Sequence, residues 1–97
     1  MTAFRVQNFK RIENKPGLIA LGDVELPSGM ILRGCAWREG RDGQWVAMPY
    51  RSFTASNGEV KYASTVEFAS SARDAKKRFQ AQALEAFRAA AGAEAEP

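Results

Sequence analysis

Phe4, Arg5, Val6 and Gln7 alternate apolar with polar, which predicts a first strand. Asn14-Lys15-Pro16-Gly17 reads as a turn, with Pro fixing φ and Gly free to take positive φ. Leu18 to Leu26 alternates again. Leu18, Ala20, Gly22, Val24 and Leu26 share one face; Ile19, Leu21, Asp23 and Glu25 share the other. Pro27-Ser28-Gly29 turns the chain into a partner strand, Met30 to Arg38, and Glu39 to Gly43 makes a second, charged turn. Gln44 to Met48 is a short strand stopped by Pro49. Tyr50 to Gly58 reads as a loop ending in the turn signal Asn57-Gly58. Glu59 to Phe68 alternates as a further strand, with Val60, Tyr62, Ser64, Val66 and Phe68 on one face.

The period then changes. Phe79, Ala83, Leu84 and Phe87 form a helical stripe that Ala72 and Ala90 extend. The predicted helix runs from Ser70 or Ser71, the expected N-cap with Asp74 at capping-box distance, to about Ala91, and Gly92 is placed to stop it. The expected fold is α+β: an antiparallel sheet of about five strands followed by one C-terminal helix packed on it. Residues 1–91 form the single domain and 92–97 a disordered tail. In the strand Met30 to Arg38, Met30, Leu32 and Ala36 fall on one face and Ile31, Cys35 and Trp37 on the other. One helix covers one face, so this pattern predicts a homodimer, the second copy covering the leftover face or extending a sheet edge. The plainer alternative is a solvated face with scattered apolar groups.

The 97 residues contain no histidine and one cysteine. That excludes Ser-His-Asp triads, Cys-His dyads, His-bearing metal sites and an internal disulfide. Neither a cofactor nor a metal is expected, and the chain does not read as an enzyme. No apolar run approaches the ~18 residues of a membrane span, and the N-terminal segment has no apolar signal core. A cytoplasmic protein without a membrane partner follows, and a free Cys35 fits that compartment. Cys35 itself reads as a small buried apolar group.

Fourteen Lys and Arg face eleven Asp and Glu, and two of the acids, Glu94 and Glu96, lie in the tail. The body is therefore more basic than the whole, which points to a polyanion partner or simply to solubility. Arg73, Lys76, Lys77 and Arg78 crowd the first turns of the helix, the end a helix dipole makes unfavourable for cations. Arg73 and Lys77 share a side. They read either as phosphate contacts or as a solvated face with Asp74 paired to Arg78. Arg41 and Arg51 lie in predicted loops, where contacts concentrate, and Tyr50 offers a ring to an unpaired base or to the end of a core. Arg5, Lys10, Arg11 and Lys15 are the next basic suspects. Trp45 reads as core, and Asp23 and Glu25 as solvated edge charges. Gly40-Arg41-Asp42-Gly43 lacks the Gly-Lys-Ser/Thr ending of a phosphate loop.

Gly43-Gln44-Trp45-Val46-Ala47-Met48-Pro49-Tyr50-Arg51 resembles the central block of the SpoVG family of bacterial regulatory proteins. Ala20–Leu26 and Met30–Ala36 are similar to that family's second and third strands, Gly58-Glu59 to its next segment, and Ser70-Ser71-Ala72-Arg73 to the step that opens its helix. The resemblance spans about residues 4–90. It implies a non-enzymatic β-sheet domain with a C-terminal helix that dimerises through strands, binds DNA or RNA and regulates transcription. Arg51 followed by Ser52 departs from a family loop with two adjacent basic residues. The resemblance favours the phosphate reading of Arg41, Arg51, Arg73, Lys76 and Lys77. The competing expectation is a structural or protein-interaction module built on a sheet dimer.

Overall fold

A computed structural model describes residues 2–95. The elements are β1 (Arg5–Arg11), β2 (Leu18–Glu25), β3 (Ile31–Gly40), β4 (Gly43–Ala47), β5 (Tyr50–Thr54), β6 (Val60–Ser64) and α1 (Arg73–Ala95). β1 to β4 form an antiparallel sheet in chain order, and β5 and β6 form a separate antiparallel hairpin. The class is α+β with one C-terminal helix on the sheet, as the patterning predicts. Among the described residues the strands number six in two sheets rather than about five in one.

The difference lies at the segment expected to be a loop. Tyr50–Thr54 is β5, paired with β6 from Tyr50↔Ser64 to Thr54↔Val60. Its turn is closed by Ala55 N–H to the Glu59 carbonyl and Gly58 N–H to the Ala55 carbonyl. β6 ends at Ser64, short of Phe68, although Val66 and Phe68 still pack on the core.

The core lies between one sheet face and α1. Ala20 and Val24 of β2, Leu32, Cys35 and Trp37 of β3, and Val46 of β4 meet Phe79, Ala83 and Phe87 of the helix. Phe87 is fully enclosed, its ring centroid 6.0 Å from that of Trp37 and 6.4 Å from that of Phe9. It rests against Gly22, where a Cβ would stand 3.1 Å from Phe87 Cε1 and 2.8 Å from Val6 Cγ1. Only glycine permits so close a helix-sheet approach.

The strand read as apolar on both faces is corrected by a β-bulge. β2 and β3 pair Gly22↔Cys35 and then Val24↔Leu32, so Arg33 and Gly34 together oppose Asp23. Gly34 takes φ +85°, and the extra residue reverses the alternation. Leu32, Cys35 and Trp37 therefore all face the helix. Of the residues read as a second apolar face, Cys35 and Trp37 join this core, while Ile31 stays exposed. A matching bulge interrupts β1 between Gln7 and Lys10, where Asn8 has φ +55°.

Two side chains from α1 secure β4. Gln80 Nε2–H donates to the Val46 carbonyl at 2.9 Å and Gln80 Oε1 accepts from Val46 N–H at 2.8 Å. Gln44 Oε1 accepts from Trp37 Nε1–H at 3.1 Å and from Arg88 Nη2–H at 3.0 Å. Trp45, expected in the core, is 42% exposed because Val46 takes the inward position; its ring lies over Gly40. The first helical bond, Lys76 N–H to the Ala72 carbonyl, puts the cap at Ala72. Among the described residues neither Ser70 nor Ser71 forms the expected capping bond. The helix also runs through Gly92 to Ala95, so Gly92 is no stop and the expected disordered tail is helical that far. Glu96 and Pro97 lie outside the described residues. No helix among the described residues is long and apolar enough to cross a membrane.

The radius of gyration is 14.4 Å and the principal extents are 49 × 36 × 28 Å. A compact chain of this length has a radius of about 12.5 Å. The excess fits the β5–β6 hairpin, whose strands pack chiefly against each other and leave Tyr50, Phe53, Val60 and Tyr62 exposed.

Candidate nucleic-acid interface

Arg73, Lys76, Lys77 and Gln80 follow the i, i+3, i+4, i+7 spacing of one helical face. They surround one shallow recess of about 360 Å³ at the start of α1. Gln80 is the residue tied to Val46, so this basic face runs beside the outer edge of β4. All three cations are exposed, and among the described residues none is ion-paired. The Asp74–Arg78 pair of the solvated-face alternative is likewise not formed among them. Arg78 turns to a different, largely apolar recess with Phe4, Leu26 and Phe79.

Arg51 stands on β5 opposite Ala63, sharing a face with Phe53 and Lys61 of the projecting hairpin. β5 leaves from the Ala47 end of β4, and Gln80 fixes the start of α1 toward that same end. Arg41 is elsewhere. It sits in the β3–β4 turn beside Gly43 and Gln44, where Arg88 reaches the sheet. Arg88 lies fifteen residues along α1 from Arg73, a rise of about 22 Å at 1.5 Å per residue. The structure thus brings Arg73, Lys76 and Lys77 together and keeps Arg41 apart from them.

A second basic surface covers the sheet face turned away from the helix. Cross-strand register sets Lys10, Leu21, Ala36 and Ala47 in one row and Leu18, Arg38 and Trp45 in the next. Lys10, Lys15, Arg38 and Tyr50 line a recess of about 710 Å³ there. Arg38 was not singled out from the sequence. Its alternation with the buried Trp37 is the signal that places it opposite the core.

Asp23 belongs to the central strand β2, not to an edge, and its charge is already engaged. Oδ1 accepts from Gly34 N–H at 2.9 Å, and Oδ2 accepts from Asn8 Nδ2–H at 2.9 Å and Arg33 Nη1–H at 3.0 Å. The Asn8 and Gly34 hydrogen bonds, with the Arg33 charge behind them, hold its carboxyl below the usual 3.8. Glu25 accepts from Gln7 Nε2–H at 2.7 Å. Cys35 is buried, and desolvation first, then the Asp23 charge, raise its thiol to about 11. It is a protonated core group, consistent with the apolar reading. No protein-family model and no curated protein matches this sequence.

Proposed function

We propose that this chain is a homodimeric, non-enzymatic regulatory protein that binds DNA or RNA by docking phosphates on a basic surface. The observation that carries this reading is the face of Arg73, Lys76 and Lys77. Three exposed cations gather at the helix end where the dipole disfavours them, without ion-pair partners among the described residues. Such a placement costs folding and is rewarded by a polyanion. Arg51, exposed on the hairpin, offers a further phosphate contact, and Arg41 a separate one in the β3–β4 turn. The resemblance to the SpoVG family supports the same reading, and the proposal includes a cytoplasmic setting, where Cys35 stays reduced.

If Arg51, Arg73 and Lys77 each meet one phosphate, a dimer makes about six contacts, and log affinity falls against log salt with a slope near −5. The triple Ala variant is expected to flatten that slope on every duplex sequence alike and to melt within a few degrees of the parent. Gel shifts across a salt series, with calorimetry of the variant, measure both. A full slope in the folded variant would place the phosphate surface elsewhere. The exposed Phe53 and Val60 favour a second reading, a protein-interaction module. Absence of binding to every DNA and RNA oligonucleotide at low salt would select it.

A further inference from the structure

We infer that the sheet face turned away from the helix takes an unpaired nucleic-acid strand, its bases stacked on Tyr50 and Tyr62 and its phosphates on Lys10, Lys15 and Arg38. The inference rests on the nucleic-acid reading above and specifies the form of the ligand and a groove separate from the helix face. The recess of about 710 Å³ on the sheet and a neighbouring one of about 520 Å³ are both lined by Arg38 and Tyr50. Arg38 and Tyr50 thus stand between two adjoining recesses, one reaching Lys10 and Lys15 and the other reaching Tyr62.

The two tyrosines are its distinguishing chemistry. Their ring centroids are 5.5 Å apart at 81°, so the edge of one meets the face of the other. Tyr50 is 49% and Tyr62 67% exposed, which leaves ring surface free for a further partner. They stand on the same face of the hairpin, since Tyr50 pairs with Ser64 and Tyr62 with Ser52. Lys10, Lys15 and Arg38 have no ion-pair partner among the described residues. The one carboxylate in the groove, Asp23, is compensated by Arg33 and by its hydrogen bonds to Asn8 and Gly34. An anionic backbone is therefore welcome along both recesses.

A duplex gains nothing from exposed rings, because its bases are already stacked on one another. An unpaired strand gains about 5- to 150-fold in affinity for each ring that takes a base. The sheet platform with interleaved cations and rings suits that strand without reading its sequence.

Fluorescence anisotropy of a labelled oligothymidylate and of a mixed-sequence duplex of equal length, at one salt concentration, tests this. The single strand is expected to bind more tightly. Tyr62→Ala, and Tyr50→Ala with it, are expected to weaken single-strand binding at least fivefold while leaving the salt slope unchanged. Tyr50→Phe with Tyr62→Phe is expected to retain binding. Lys10→Ala with Lys15→Ala and Arg38→Ala is expected to flatten the slope. Photocrosslinking of the unmodified protein to a bromodeoxyuridine-substituted strand needs no variant, and its adducts are expected on Tyr50 or Tyr62. Equal or tighter duplex binding, neutral Tyr→Ala variants, or adducts confined to the start of α1 would each overturn the inference and leave the phosphate-docking reading standing. Binding of neither form would overturn both.

Discussion

Asp23 holds two neighbouring strands out of regular register at once. Its two oxygens reach Gly34 in the bulge of β3 and Asn8 in the bulge of β1, and both of those residues have positive φ. A hydrogen bond to a charged, partly buried group contributes about 1.5–3 kcal/mol. The Arg33 bridge adds little, because its side chain is 68% exposed. Asp23→Ala is expected to lower the unfolding free energy by about 2–3 kcal/mol in denaturant titrations near neutral pH. The carboxyl pKa is lowered in the fold, so this contribution is fully present above the ordinary value of 3.8 and fades as pH falls through the lower folded value. The gap between parent and variant is therefore expected to narrow as pH falls below ~4, by the part that the charge contributes. A gap independent of pH would mean that the charge contributes nothing.

At the scale of elements, α1 is the cover of the sheet, and the ring at its start shows how much depends on it. Phe79 is 7% exposed and meets Phe4 and Phe68 at centroid distances of 5.6 and 5.4 Å. Phe79→Ala is expected to destabilise by about 3–5 kcal/mol, read from the midpoint and slope of denaturant unfolding. A loss under ~1 kcal/mol would show that these three rings do not share a core. The stripe of Phe79, Ala83 and Phe87 was legible in the sequence because helical spacing has no competing explanation there. So was the inward set Ala20, Gly22 and Val24 of β2. Leu18, expected on the same face, is thrown outward beside Arg38 by a register shift before Ala20, and Ile19 packs on the core instead. The faces of β3 were not legible. A strand alternates only until a residue is inserted, and Gly34 inserts one, sending Cys35 and Trp37 inward beside Leu32. A glycine inside a strand is the available warning of a bulge, but simple alternation through Gly34 passes over it. β5 was hidden for another reason. Its residues, Tyr50 to Thr54, are all exposed, so no buried face stamps a pattern on them. The basic cluster at the start of α1 was visible as composition, but Arg38 needed the register of the sheet to be placed.

For the whole molecule, the projecting hairpin is the natural place for a second copy to add. A two-stranded hairpin is marginal alone, and its bare edges offer backbone groups for strand pairing without covering the faces that carry Tyr50, Tyr62 and Arg51. Sedimentation equilibrium at micromolar concentration is expected to give twice the chain mass, and a folded monomer there would remove the dimer from the proposed function.

The amide of Gln80 does to the backbone of Val46 what one more strand would do, donating and accepting at the same residue. A sheet with two open borders can recruit copies without limit, each arrival presenting the border the next one needs. With Val46 already answered by the helix of its own chain, β4 is withdrawn as a border, and recruitment from that side of the sheet is blocked. Gln80→Ala is expected to lift that restraint: light scattering well below the melting temperature should climb steadily with time in the variant and stay flat in the parent.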